Sequence, residues 1–222
     1  SSASRKTNDG SLPLHLACRF HAPLDVLKVL VETYPEGAIV LDHGFRSPLH
    51  LATRGAAPKP IVEFLLEAFP TSVKETDTDS FLPLHHAVSR GCDRTVIDLL
   101  LDTAPDTASQ PVNNGRLALH MAARECASNA TLVVQRLAQM AHGPNNEGGN
   151  STSQLVTATG MTVLHYVAAA ASFVKLQFDA LLALRKDDVK AKDSNGWLPL
   201  HWVAWRASGV LAVDVVHDSN PG

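Results

Sequence analysis

Along this chain, short apolar clusters alternate with polar links punctuated by proline and glycine, and the alternation repeats. Six segments open in the same way: Leu12-Pro13-Leu14-His15, Ser47-Pro48-Leu49-His50, Leu82-Pro83-Leu84-His85, Leu117-Ala118-Leu119-His120, Thr162-Val163-Leu164-His165 and Leu198-Pro199-Leu200-His201. Their histidines follow one another after 35, 35, 35, 45 and 36 residues. Self-similarity at such a period marks a repeat architecture, in which each unit buries a face against the next.

Each phrase has a physical reading. Proline at a first helical position has its φ preset, and its missing N–H would be unsatisfied there anyway, so helices are predicted to begin at Pro13, Pro48, Pro83 and Pro199. Two residues after each histidine stands a small one, Ala17, Ala52, Ala87 and Ala122, with Val167 and Val203 in the last two phrases. Polar or glycine residues such as Arg54-Gly55 and Arg90-Gly91 then close a short helix. A second apolar run in helical spacing follows: Val26-Leu27-Val29-Leu30, Ile61-Val62-Leu65-Leu66 and Val96-Ile97-Leu99-Leu100. It stops at Tyr34-Pro35, Phe69-Pro70 and Ala104-Pro105, because the residue before a proline is driven out of the helical region. Turn-rich links such as Leu41-Asp42-His43-Gly44 and Asp193-Ser194-Asn195-Gly196 lead into the next phrase.

This pattern, Gly-x-Thr-Pro-Leu-His-x-Ala followed by helix–turn–helix, resembles the ankyrin repeat along essentially the whole chain. The resemblance implies an all-α solenoid of about six helix–turn–helix repeats with turn- or β-hairpin-like tips. The period is longer than the usual one of about 33 residues, and the excess falls in the proline-stopped link. Gly10, Gly115, Gly160 and Gly196 supply the motif's glycine, while Phe45 and Ser80 replace it elsewhere. Its threonine survives as Thr162 and, conservatively, Ser47; Leu12, Leu82, Leu117 and Leu198 stand in the other phrases. A lost cap hydroxyl costs about 1 kcal/mol, so the hydrogen bonding around those histidines is left open by the sequence. The expected organisation is one domain, 1–222, with repeats at about 7–41, 42–76, 77–111, 112–156, 157–192 and an incomplete 193–222. A protruding insertion is expected within 142–156 and fraying toward Val216.

Composition narrows the function classes. Hydrophobic residues make up 45% and charged residues 18%, which reads as a globular chain, and a formal net charge of −3 gives no bulk attraction to nucleic acid or an anionic membrane. The longest apolar stretch, around Val163–Val174, holds His165 and is shorter than the roughly 18–20 residues that span a bilayer. Cys18, Cys92 and Cys126 are odd in number with no CxxC pair, which reads as buried thiols in a reducing compartment, cytoplasmic or nuclear. Sequons at Asn129 and Asn150 do not change that reading; Asn129 also sits where a helix N-cap is wanted.

Of 11 histidines, six belong to the repeat phrase, and the adjacent pair His85-His86 points two ways from a helix rather than chelating. There is no Gly-x-Ser-x-Gly, phosphate-binding glycine loop or His-Glu-x2-His motif. No catalytic residue, cofactor or metal is expected. The informative signal is arginine. Ankyrin-like stacks bind partners on a concave face built from the tips and the ends of the first helices. In this register the helix ends carry Arg19, Arg54, Arg90, Arg124 and Arg206, and the tips carry Arg46, Phe81, Arg116 and Trp197, with Phe20 and Trp205 alongside. The fifth repeat breaks the stripe with Ala169 and Ala170. Arginine and large aromatics dominate interface hot spots; equally, an arginine in a helix's last turn gains about 0.3–1 kcal/mol from the helix dipole without any partner.

The sequence therefore points to a non-catalytic scaffold binding a protein or peptide segment, acidic or mixed, in an Arg/aromatic groove. The other reading is a targeting module for an enzyme or channel whose working part lies outside this segment. Nucleic acid is disfavoured by the overall charge and the lack of a reader motif.

Overall fold

In the computed structural model, which describes residues 2–124, 130–141, 156–170 and 186–207, the proline-led phrases are helices. The first helices of successive repeats are α1 (Pro13–Arg19), α3 (Pro48–Arg54), α5 (Pro83–Ser89), α7 (Ala118–Arg124), α9 (Val163–Ala169) and α10 (Pro199–Ala207). The second helices are α2 (Leu24–Thr33), α4 (Lys59–Ala68), α6 (Arg94–Thr103) and α8 (Ala130–Ala141). No strand occurs among the described residues; the hairpin-like tips are turns.

Second helices end where proline dictates. Tyr34, Phe69 and Ala104 take ψ values of 79, 76 and 80°, outside the helical region, each directly before a proline. The proline then opens a 3-10 turn, Pro35–Ala38, Pro70–Lys74 and Pro105–Ser109. These turns hold the extra length of the repeat.

The first helices stack in order, α1 on α3, α3 on α5, α5 on α7, α7 on α9 and α9 on α10. The leucine of the phrase is the centre of each layer: Leu14, Leu49, Leu84, Leu119 and Leu164 are at most 3% exposed. Burying a leucine side chain stabilises by about 1.5–3 kcal/mol. Ala52, Ala87 and Ala122 are buried where neighbouring helices meet, and a single apolar cluster runs from Leu14 to Val167.

The six phrase histidines settle the hydrogen bonding that the leucine replacements left open. Each Nδ1 accepts the backbone N–H three residues earlier, from Leu12, Ser47, Leu82, Leu117, Thr162 and Leu198, at 2.8–3.2 Å. The imidazole therefore caps the helix whether or not a hydroxyl is present. Ser47 and Thr162 add contacts to Nδ1 at 2.8 and 2.9 Å, while Leu12, Leu82 and Leu117 are buried in the core instead. With Nδ1 accepting, Nε2 carries the proton and donates to a tip carbonyl of the next repeat, Arg46 from His15, Phe81 from His50 and Trp197 from His165, while His85 donates to Gln110 at the end of its own repeat. Burial holds His50 and His85 at about 4 and His15 below its ordinary value, so these rings stay neutral.

The insertion at 142–155, the chain toward Val216, Cys126, Asn129 and Asn150 lie outside the described residues. Cys18 and Cys92 are buried and reduced; burial raises both thiols, Cys92 to about 11.

Candidate functional site

The tips set the site. Thr7, Asp42, Asp77, Val112, Thr157 and Asp193 each donate a backbone N–H to the carbonyl four residues on, at 2.9–3.1 Å, closing a tight turn. The fourth residue of every turn has a positive φ: Gly10, Phe45, Ser80, Gly115, Gly160 and Gly196, between 56 and 80°. Phe45 and Ser80 thus keep the glycine conformation at a steric cost of about 1 kcal/mol. Neighbouring tips are tied by one backbone bond each: His43 N–H to Asp9 O, Thr78 to Gly44, Ala158 to Asn114 and Ser194 to Thr159, at 2.9–3.1 Å. The third and fourth tips meet through Ser80 Oγ and Asn113 Oδ1 at 2.6 Å.

Three tips begin with a buried aspartate. Its Oδ1 accepts two N–H groups of its own turn: Gly44 and Arg46 for Asp42, Asp79 and Phe81 for Asp77, Asn195 and Trp197 for Asp193. The second oxygen takes a different partner each time. Asp42 holds the Arg46 guanidinium, Asp77 the His86 imidazole at 2.9 Å, and Asp193 the Trp202 indole N–H at 3.0 Å. Sequence reasoning missed these sockets. Their signal is an aspartate eight residues before the phrase histidine, at 42, 77 and 193, obscured by Thr7, Val112 and Thr157 in the other repeats.

The arginine stripe is less regular than projected. Arg19, Arg54 and Arg124 lie four residues after their histidines, but Arg90 and Arg206 lie five after, with Ser89 and Trp205 in the fourth place. Arg46 is already engaged by Asp42, and Arg116 donates from Nε to Asn114 Oδ1 at 3.0 Å. Arg19 sits over the ring of Phe20 at 5.6 Å, and that ring is 72% exposed. Arg54 is half-buried, and its guanidinium pKa is lowered, first by burial and then by the positive charges of Arg46, Arg90 and Arg19. Four guanidiniums therefore share one field.

Between the tip and helix end of the third repeat lies a hollow of about 250 Å³ lined by Arg54, Asp77, Asp79, Phe81, His86, Ser89 and Arg90. The Phe81 ring packs on His86 at 5.1 Å and His85 at 5.8 Å. Burial lowers the His86 pKa, Asp77 opposes that shift, and Arg54 and Arg90 add to it. Of the expected site residues, the structure gathers Arg54, Phe81 and Arg90 around the hollow, with Arg19 and Arg46 in the same field. Arg116 belongs to the fourth tip, and Arg124 ends α7 on an exposed position. Trp197 of the sixth tip forms a separate cluster with Trp202 and Trp205 of α10, ring centroids 5.4–6.5 Å apart, and α10 also bears the exposed Arg206. Among the described residues, no group of three or more His, Cys, Asp or Glu side chains could hold a metal ion, and no helix is long and apolar enough to cross a membrane.

Residues 49–147 match the family model for ankyrin repeats in three copies. No curated protein matches the chain. Among solved structures, a chain from the complex of a predatory endopeptidase of Bdellovibrio bacteriovorus with an immunity protein is similar at a TM-score of 0.68 and 18% identity, covering 92% of this chain and 95% of that one. The ankyrin repeat domain of Bcl-3, a member of the IkappaB protein family, is similar at a TM-score of 0.64 and 23% identity, covering 90% of this chain and 81% of that one. Stacked helix pairs with histidine-tied tips define a repeat solenoid. Residues 49–147 match ankyrin repeats in sequence, and the described stack shares the fold of ankyrin-repeat structures. Ankyrin repeats generally mediate protein–protein interaction and are typically non-catalytic.

Proposed function

We propose that residues 1–222 form one non-catalytic binding domain that holds an acidic or mixed segment of a protein partner along its tips and first-helix ends, centred on Arg54, Arg90 and Phe81. The observation that carries this reading is the state of Arg54. It is half-buried beside three other guanidiniums and forms no ion pair among the described residues. Gathering like charges at a partly desolvated position is unfavourable, and an incoming carboxylate relieves it through charge-assisted, bidentate bonds. The Asp77 carboxylate offsets only part of that repulsion, because two N–H groups and His86 already occupy it. The half-buried Phe81 ring beside the guanidiniums offers an apolar contact for the same segment. One of the similar solved folds comes from a two-protein complex, which is in keeping with a protein partner.

The test is fluorescence anisotropy with labelled Glu/Asp-rich and Lys-rich peptides, on the parent chain and on a folded Arg54→Glu, Arg90→Glu variant. The acidic peptides should bind the parent, weaken about tenfold as salt rises from about 0.1 to about 0.5 M, and lose the variant altogether. Binding that ignores both salt and the substitutions would overturn the reading.

A further inference from the structure

The residue after the phrase histidine is Leu16, Leu51, His86, Met121, Tyr166 and Trp202 in successive repeats. In the third and sixth it fills the same socket. The His86 imidazole bonds Asp77 Oδ2 at 2.9 Å, and the Trp202 indole N–H bonds Asp193 Oδ2 at 3.0 Å. Fastening a tip to its helix thus needs only an N–H donor, and an indole provides one without titrating. What the imidazole adds is a second ring nitrogen.

That nitrogen is open. The Asp77 carboxylate accepts from Nε2, so Nε2 carries the proton and Nδ1 holds a lone pair. Among the described residues Nδ1 has no hydrogen-bond partner, and it is not sealed from solvent. The ring lines the hollow, whose charges balance: the guanidiniums of Arg54 and Arg90 against the carboxylates of Asp77 and Asp79. Burial disfavours the charged ring, Arg54 and Arg90 repel it, and Asp77 opposes both effects.

The other elements packed on α5 leave this balance in place. His50 of α3 meets the His86 ring edge-on at 5.9 Å, and burial holds both it and His85 neutral. The link before the tip carries Lys74, paired with Asp106, and the half-buried Glu75. On α6, Arg94, Asp98 and Asp102 are all in ion pairs. On α7, His120 turns its ring to Tyr166, and Arg124 ends the helix.

We propose that the hollow takes one carboxylate of the acidic segment between Arg54 and Arg90, and that His86 gains a solvent proton at Nδ1 as that carboxylate enters. This rests on the reading of the hollow as the acidic-segment site. The incoming group adds one negative charge to a balanced lining and cancels the repulsion that the two guanidiniums exert on the ring. A proton restores the balance, and the imidazolium then donates from Nε2 to Asp77 and from Nδ1 to the ligand. Affinity follows pH as a result. Where the free ring is neutral and the bound ring charged, each unit of acidification strengthens binding up to about tenfold.

The experiment is titration calorimetry of the whole chain with a short Glu-rich peptide, in two buffers of different ionisation enthalpy. The range from about pH 8 to about pH 6 keeps the peptide carboxylates ionised. The parent should take up close to one proton per bound peptide, and its Kd should fall about tenfold across the range. His86→Gln should bind without uptake and with a flat pH profile. Asp77→Asn keeps Oδ1 for the turn N–H groups and offers an amide N–H to Nε2. That moves the proton of the neutral ring to Nδ1, so this variant should bind with no uptake and no pH dependence. Substituting the exposed His21 or His43 by Ala should leave the parental uptake unchanged. Peptide binding without proton uptake would overturn the proposal while leaving the acidic-segment reading intact. Uptake that survives in His86→Gln would overturn it by placing the proton elsewhere, and uptake in Asp77→Asn would overturn the Asp77-held arrangement. A parent that binds no acidic peptide at any pH would overturn the acidic-segment reading and this proposal with it.

Discussion

The third and fourth tips have the same backbone shape and differ in what lies beneath it. In the third, Asp77 binds two N–H groups of its turn and the His86 ring of the following helix, so the turn is fastened to α5. In the fourth, Val112 occupies the same place, 4% exposed, and Arg116 leans on Asn114 at the surface. The turn closes all the same, with Val112 N–H on Arg116 O at 2.9 Å and Gly115 at a φ of 75°. The closing bond and the positive φ are therefore enough to make a tip. The carboxylate adds coupling between the tip and the helix behind it, and the candidate hollow lies where that coupling is present.

Acid should disturb these junctions most. His50 reaches the third tip and His85 the link before the fourth, and both are held at about 4 against an ordinary 6.5. Between those values the unfolded chain binds more protons than the folded one. Stability is then fully present above about pH 6.5 and falls as pH drops toward 4, by about 3 kcal/mol for each ring. Urea midpoints measured through that window should decline steeply; a flat profile would mean that the rings are not buried and neutral.

Removing the carboxylate tests the contrast directly. Asp77→Ala strands the Asp79 and Phe81 N–H groups and the buried His86, and should cost about 2–3 kcal/mol. Val112→Ala loses only methyl burial, about 1 kcal/mol. Equal losses in urea unfolding would show that the socket contributes nothing special. The glycine position should give smaller effects of opposite sign. Gly115→Ala forces a Cβ to 3.1 Å from Ala158 N at a positive φ and should destabilise by about 1–2 kcal/mol. Phe45→Gly, at an exposed residue already in that conformation, should raise stability by about 0.5 kcal/mol, read as an upward shift in melting temperature.

The solenoid was legible because its determinants recur in phase: proline at the helix start, leucine in the layer centre, histidine at the cap and proline at the stop. The leucines in the threonine position raised a doubt that the sequence could not resolve, since the imidazole bonds a backbone N–H that no residue letter displays. The sockets were hidden for a different reason. Asp42, Asp77 and Asp193 each recruit a partner of another type, Arg46, His86 or Trp202, so no single pair repeats. The arginine stripe was partly legible. Arg19, Arg54 and Arg124 end their helices, as the register of the repeat implies, but a guanidinium already bound to a neighbouring carboxylate, as in Arg46, looks the same in sequence as one that is not.

The linkage between tips also has a mechanical meaning. Imidazole-to-carbonyl and tip-to-tip bonds join one repeat to the next, so a pull along the stack loads the junctions in series, like links in a spring. The junction between the third and fourth repeats is built differently from its neighbours: His85 reaches Gln110 rather than the tip carbonyl, and the tips meet through the side chains of Ser80 and Asn113. That junction therefore carries load between its tips through a pair of side chains, where the tips described on either side of it share a backbone bond.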